Sequence, residues 1–271
     1  GNQSRNNGSG DIGWQGIGRI SGRPWMIDET KFWHFGVSAG HTTVNNQYRA
    51  DGTFSQANAT AGQNSGGMSF VGFLGTNVDR TNVLNTGNLT SGSNDSPDAR
   101  RIDSYDRYGA ETALVYGPFS AQAEYLRTNI NGLNYSGEHL TGYYGYLSYF
   151  LTGESRAYHV RNGAWNRIVP NKSFHWNGTG LGAWEFAVGY DYLNMNNGKI
   201  RGGEADMIRF ALNWYPHTHV RVMTNVNHVL NLNTAGVVNY NAAGEPIAND
   251  RSQGFHDANI TSFLTRVQVD F

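Results

Sequence analysis

The sequence predicts an all-β chain, a transmembrane antiparallel β-barrel, and three observations predict it. The first is composition. Apolar residues make up 38% and charged residues 15% of the 271 positions, with 35 glycines, 15 tyrosines, 7 tryptophans and no cysteine. A mean hydropathy of −0.53 leaves little apolar material for one large water-excluded core. Yet 13% aromatics and a net charge of −1 do not suit a disordered chain. A barrel in lipid resolves the conflict, because alternate side chains point outward into hydrocarbon while the interior is polar and wet. The second observation is strict alternation over runs much longer than the roughly five or six residues of an average soluble strand. The third is the C-terminal run 258–271, where Phe263, Val267, Val269 and the terminal Phe271 oppose Arg266, Gln268 and Asp270. A terminal aromatic closing such a strand resembles the signal by which outer-membrane barrels are recognised for assembly.

Each element follows from period two. In 204–215, Ile208, Phe210, Leu212 and Trp214 share one face, and Arg209, Ala211 and Asn213 the other. In 182–193, Trp184, Phe186, Val188, Tyr190 and Tyr192 oppose Glu185, Ala187, Gly189 and Asp191. In 218–230, Val220, Val222, Val226 and Leu230 oppose Arg221, Met223, Asn225 and Asn227. Placing Phe271 at the periplasmic rim and walking back adds 139–152, 118–129, 105–117, 31–42 and 11–22, nine strands in all. The connections RPWMIDET, Gly117-Pro118 and YPHTH then fall on the periplasmic side, and NMNNGKIRGGE and 231–257 on the extracellular side.

Two stretches break the meander. Residues 43–104 read as a long extracellular loop with one apolar patch, MSFVGFLG. Residues 153–181, carrying Arg156, Arg161, Arg167, Lys172 and Trp165, read as a long periplasmic or lumen-folded segment. Closed single-chain bacterial barrels have an even strand number, so nine strands imply either a further strand within 43–104 or 153–181 or, the reading favoured here, one partial barrel domain over 1–271. A sixteen-stranded barrel whose last nine strands are seen here satisfies both count and direction. The polar opening GNQSRNNGSG reads as loop rather than signal peptide.

Composition and motifs also exclude. The balanced charge provides no basic face for nucleic acid, and the lack of cysteine removes thiolate ligands and thiol nucleophiles. The glycines of GWQGIGRISG do not form a dinucleotide loop, no GxSxG elbow occurs, and His217 and His219 supply two metal ligands where a structural site needs four. His34 and Ser38 share a face but stand too far apart along the strand to pair as base and nucleophile. No catalytic residue, metal or cofactor is expected, and the chain reads as a non-enzyme.

The inward faces supply the candidate lining. Its bases are Arg19, Arg107, Arg209, Arg221 and Arg266, and its acids Glu111, Glu124, Glu185, Asp191 and Asp270. Arg209, Arg221 and Arg266 come from three consecutive strands, beside Asn213, Asn225, Asn227 and Gln268. Fixed guanidinium groups favour anions in a narrow aqueous path and bind oxyanions through paired N–H donors. The alternative is that these arginines pair with the acids and only maintain the wall. Trp184, Trp214, Tyr116, Phe119, Phe150 and Phe271 predict an aromatic belt at the periplasmic ends, and Tyr108, Tyr125, Tyr190 and Tyr192 one at the opposite ends. Tyr143 and Tyr149 are read as inward, where a ring is placed to stack on a sugar.

Four segments carry a family resemblance: YGPFSAQAEYLRT (116–128), GYYGYLSYFLTGESRAY (142–158), GAWEFAVGYDYLN (182–194) and FALNWYPHTHVRVMTNVNHV (210–229). They resemble the phosphate-selective porin O/P family, with YFLTGESRAY and LNWYP the most specific. The resemblance implies a sixteen-stranded, homotrimeric porin of the Gram-negative outer membrane, longer than this chain, in contact with lipid and lipopolysaccharide. It implies passive diffusion of small hydrophilic or anionic solutes. In the phosphate-selective members much of the basic machinery sits in inward-folded loops of the N-terminal half. Here 43–104 has Arg49, Arg80, Arg100 and Arg101 but no regular ladder, so phosphate preference stays open. The alternative function is a barrel that sheathes or anchors a partner protein, such as an electron-conduit cytochrome.

Overall fold

The computed structural model describes residues 14–43, 69–73, 75, 83–86, 89, 102–132, 135–234 and 257–270. Its strands are β1 (Gln15–Asp28), β2 (Lys31–Thr43), β3 (Val71–Gly72), β4 (Leu84–Asn85), β5 (Ile102–Tyr116), β6 (Phe119–Gly132), β7 (Ser136–Phe150), β8 (Tyr158–His159), β9 (Ala164–Trp165), β10 (Ala183–Asn197), β11 (Ile200–His217), β12 (Val220–Asn233) and β13 (Thr261–Val269). Nine of them, the nine read from alternation, form one antiparallel sheet in the order β1-β2-β5-β6-β7-β10-β11-β12-β13. The remaining four form two short hairpins, β3–β4 and β8–β9. The sheet is open, and its edges β1 and β13 each pair with one strand among the described residues.

One end of the sheet carries two-residue turns at Glu29–Thr30, Gly117–Pro118 and Thr218–His219. Gly117 turns at φ 60°, in the left-handed region where a side chain is strained. The Gly117 amide donates to Thr30 O at 2.7 Å and the Phe150 amide to Pro118 O at 2.9 Å, so neighbouring turns are stitched together. RPWMIDET is mostly strand rather than connection. β1 runs on to Asp28 through register breaks at Gly22/Trp25 and Met26/Asp28. Pro24, which has no N–H for the ladder, sits in the first of these breaks, on an edge strand that tolerates it. NMNNGKIRGGE is likewise no loop. β10 and β11 extend through it to a tight turn at Gly198–Lys199, with one register break near Asn196.

The two faces differ as the alternation predicts. One exposes Ile20, Trp33, Phe35, Val37, Leu114, Leu147, Phe186, Phe210, Leu212, Phe263 and Val267. Apolar side chains in such a continuous surface are costly in water and match a hydrocarbon surround. At the turn end of this face Trp184 and Trp214 stack at 5.6 Å and both donate their indole N–H to Leu181 O. Toward the other end Tyr143 stacks on Tyr192 at 4.8 Å and lies 6.3 Å from Tyr190. Tyr190 and Tyr192 donate to Asp206 and Glu204.

These contacts correct two readings. Tyr143 and Tyr149 lie on the apolar face, in register with Tyr125, Tyr192, Phe119 and Phe186, and are not placed to stack on a solute. Of the tyrosines in β7, those on the polar face are Tyr144 and Tyr146. The run GYYGYLSYF carries tyrosine in both phases, so alternation by type cannot assign its faces. Phe150, expected in an aromatic belt, is 1% exposed and packs with Ile168, Ala183 and Tyr215. Phe271, most of the loop 43–104 and most of 231–257 lie outside the described residues.

Candidate functional site

The polar face is covered at two places by chain folded onto it. Away from the turns, β3–β4 and its neighbours sit on a cluster of Leu84, Leu89, Tyr105, Ile130, Leu140, Met195, Ile200, Val229 and Leu232. Phe70 meets Tyr105 edge-on at 5.6 Å, and Asn227 Nδ2 donates to Gly75 O at 3.3 Å. The apolar patch at 68–75 supplies part of this packing, although Met68 and Leu74 lie outside the described residues.

At the turn end, residues 151–182 leave β7, cross the polar face and return to β10. Glu154, 4% exposed, closes the segment on itself, accepting from the Thr152 hydroxyl and from the Asn171 amide at 2.8 Å. Beyond it the β8–β9 hairpin pairs Tyr158 with Trp165. Tyr158 touches Phe32 and His34, at ring distances of 5.3 and 5.4 Å, and its hydroxyl is 2.8 Å from His34 Nδ1. Burial pushes the Tyr158 hydroxyl above its ordinary value of 10, with Arg23 and Arg19 opposing and Glu111 reinforcing the shift. The hydroxyl therefore keeps its proton at neutral pH and can donate to His34. Arg156 lies 3.9 Å over the Trp165 ring and 5.1 Å from Tyr146. Arg161, Arg167 and Lys172 are exposed.

The candidate residues divide by strand. On the β1–β5 side Arg19 is paired with Glu111 and also donates to Gly163 O at 3.1 Å. His34 Nε2 reaches the same Glu111 oxygen at 3.1 Å. Gly36 makes this possible, because a Cβ there would overlap the Glu111 carboxylate. Glu124 stands opposite Glu111 in the β5–β6 ladder. Arg107 has no carboxylate partner among the described residues. It donates to the Tyr105 hydroxyl at 2.8 Å and lies over that ring.

On the β10–β13 side Arg209 is paired with Asp191, with one bond at 2.8 Å. Glu185, 6% exposed, is held by neutral donors, Asn213 Nδ2 at 3.0 Å and the Tyr215 hydroxyl at 2.8 Å. Arg221 donates to Gln268 Oε1 at 3.1 and 2.6 Å, and Gln268 Nε2 donates to Asp270 at 2.7 Å. Arg266 is exposed and makes no hydrogen bond or ion pair among the described residues. Pairing with acids thus describes Arg19 and Arg209, and does not describe Arg107, Arg221 or Arg266.

Between the in-folded segment and this wall lies a cavity of about 650 Å³. Arg156, Arg167, Arg209 and Arg221 line it, with Glu185, Asp270, Tyr146, Trp165, Asn213, Asn225 and Gly75. Arg167 Nη1 is 2.9 Å from His219 Nδ1. Sequence reasoning named the charged residues of 153–181 and put His34 on one face with Ser38, but missed Tyr158 within the segment and Tyr144, Tyr146 and Gln122, which receive it. Their partners are remote in sequence, so no local spacing marks them. Among the described residues no group of three or more His, Asp or Glu side chains is placed to hold a metal ion.

An antiparallel sheet with an apolar outer face, aromatic belts, and a polar face carrying in-folded segments is the wall of a transmembrane β-barrel. The profile of the phosphate-selective porin O and P family matches residues 20–239, and the chain belongs to that family. It is similar to an uncharacterized protein of Caulobacter vibrioides, 32% identical over 164 residues, or 60% of this chain and 30% of that protein. It is also similar to Porin O of Pseudomonas aeruginosa, 32% identical over 127 residues, or 42% of this chain and 27% of that protein. The matches thus span under a third of the length of these curated relatives.

Proposed function

We propose that this chain forms wall and constriction of a passive diffusion channel in the outer membrane of a Gram-negative bacterium, passing small hydrophilic solutes with a preference for anions. The observation that carries the reading is the cavity on the polar face, lined by four arginines and two carboxylates; with Arg209 paired to Asp191, Arg156, Arg167 and Arg221 still face Glu185 and Asp270. A lining with surplus fixed cations lowers the barrier for anions and raises it for cations. Arg156 and Arg221 are held by glutamine oxygens, so their charges are not cancelled at the site. Family membership supports a channel rather than an enzyme, and its phosphate-selective description supports oxyanions as part of the solute range. Lipid and lipopolysaccharide would bathe the apolar face, and three copies would assemble as in a trimeric porin.

In this reading residues 1–271 belong to one barrel domain, completed by further strands, with 153–181 as the constriction from the periplasmic side. At the end away from the turns, read as extracellular, β3–β4 and the described residues beside it cover the polar face. A barrel that sheathes a partner would leave its polar face open, whereas this face is crossed at two levels by its own chain. The test is single-channel recording of the complete protein in planar bilayers, with reversal potentials in potassium chloride gradients. Stepwise conductance with reversal toward the chloride potential supports the proposal. Absence of conductance, or reversal toward the potassium potential, overturns it. Gel mobility before and after heating reports the trimer.

A further inference from the structure

We infer that Gln122, on the polar face of β6, is the positioning residue that holds Arg156 at the cavity with its charge intact. The inference rests on the anion-preferring channel proposed above and goes further, naming how one charge of the constriction is kept in place.

Three donors converge on the single amide oxygen of Gln122. The Tyr146 hydroxyl reaches it at 2.6 Å, Trp165 Nε1 at 2.7 Å and Arg156 Nη1 at 3.2 Å. Indole and guanidinium nitrogens can only donate, so the amide orientation is determined: Oε1 faces the in-folded segment and Nε2 donates to the Tyr144 hydroxyl at 3.0 Å. Gln122 therefore joins β6 to β7 through both tyrosines and to 151–182 through Trp165 and Arg156. The guanidinium is further confined between the Trp165 and Tyr146 rings.

The residue type matters as much as the geometry. Where this face holds Arg19 and Arg209 it uses Glu111 and Asp191, and the charges cancel. At Arg156 the acceptor is a neutral amide, and Arg156 has no ion pair among the described residues. A carboxylate at 122 could accept the same donors but would remove the net charge. A hydrocarbon at 122 would leave the charge and lose its fixed place.

The experiment is reversal potential and open-channel current noise of the complete protein carrying Gln122→Glu, Gln122→Leu, Arg156→Gln or the last two together. Gln122→Glu is expected to lower the chloride-to-potassium permeability ratio roughly two- to fivefold at unchanged noise, the size of one cancelled charge in a water-lined site. Gln122→Leu is expected to lower the ratio less and to raise the noise as Arg156 and Trp165 come loose. Arg156→Gln is expected to lower the ratio, and adding Gln122→Leu to it to lower the ratio no further. Unchanged ratios in both Gln122 variants overturn the inference, whatever Arg156→Gln does. A further drop in the double variant also overturns it. Should Gln122→Leu fail to assemble, Trp165→Phe removes one donor and keeps the ring, and is expected to raise noise on its own; unchanged noise there counts against the inference. A wild-type channel that prefers potassium defeats the anion-preferring function instead, and that outcome is read from the unmutated protein.

Discussion

Two pieces of chain lie on the same polar face, and they are held there by different physics. The β3–β4 region is held by burial: Leu84, Leu89, Ile130 and Leu232 are at most 2% exposed, in a cluster away from the turn end. The segment 151–182 is held mainly by polar contacts, through Tyr158, Trp165, Arg156 and the Gly163 carbonyl, and is closed on itself by Glu154. Its own apolar cluster is small, formed by Phe150, Ile168, Ala183 and Tyr215. The contrast teaches how a face that must stay wet can still fix a loop. Burial closes one zone to water, while hydrogen bonds immobilise the other and leave its charges beside the cavity.

The largest effect should come from the buried side. Leu84→Ala removes a fully buried side chain and should cost about 2–5 kcal/mol of local stability. Hydrogen exchange of 69–73 and 83–86 should then rise while exchange of 151–182 stays as it was; equal loosening of both would break the distinction. Next is Glu154→Ala, which leaves the Asn171 amide and the half-buried Thr152 hydroxyl without their acceptor, at about 1 kcal/mol. Limited proteolysis between 155 and 172 should accelerate, with β3–β4 unaffected. Tyr158→Phe is milder. Losing one hydrogen bond to His34 should cost roughly 0.5–1.5 kcal/mol, and the same cleavage assay should show an intermediate rate.

The smallest effect is a pH dependence. The folded-state value of Tyr158 is raised above 10, so the folded protein holds its proton more tightly than the unfolded chain. Its contribution is fully present below about pH 10 and is lost as pH rises through the folded value. The Tyr158 titration should therefore add no pH dependence to proteolysis of the segment between pH 6 and 9, and cleavage should quicken above about 10. The Tyr158→Phe protein should lack that alkaline rise; a rise of equal size in both proteins would assign it to another group.

Much of this arrangement could be read from residues in order. Period two located all nine long strands and placed Arg19, Arg209 and Arg221 opposite Ile20, Phe210 and Val222. It failed at GYYGYLSYF, where both faces bear tyrosine, and at Phe150, whose burial depends on Ile168 in the segment that returns over it. The pairings on the polar face were equally hidden, since Arg19 meets Glu111 and Tyr158 meets His34 across 92 and 124 positions.

What the sequence determined by itself is the facing of side chains and the number of long strands. Pleating is a local property of the backbone, so successive residues must point to opposite sides whatever the rest of the chain does. Only the tertiary structure decided which charges cancel, which are held by neutral amides, and which segments cover the face. Those outcomes depend on distances between residues far apart in the chain, set when strand register and the two in-folded segments come together.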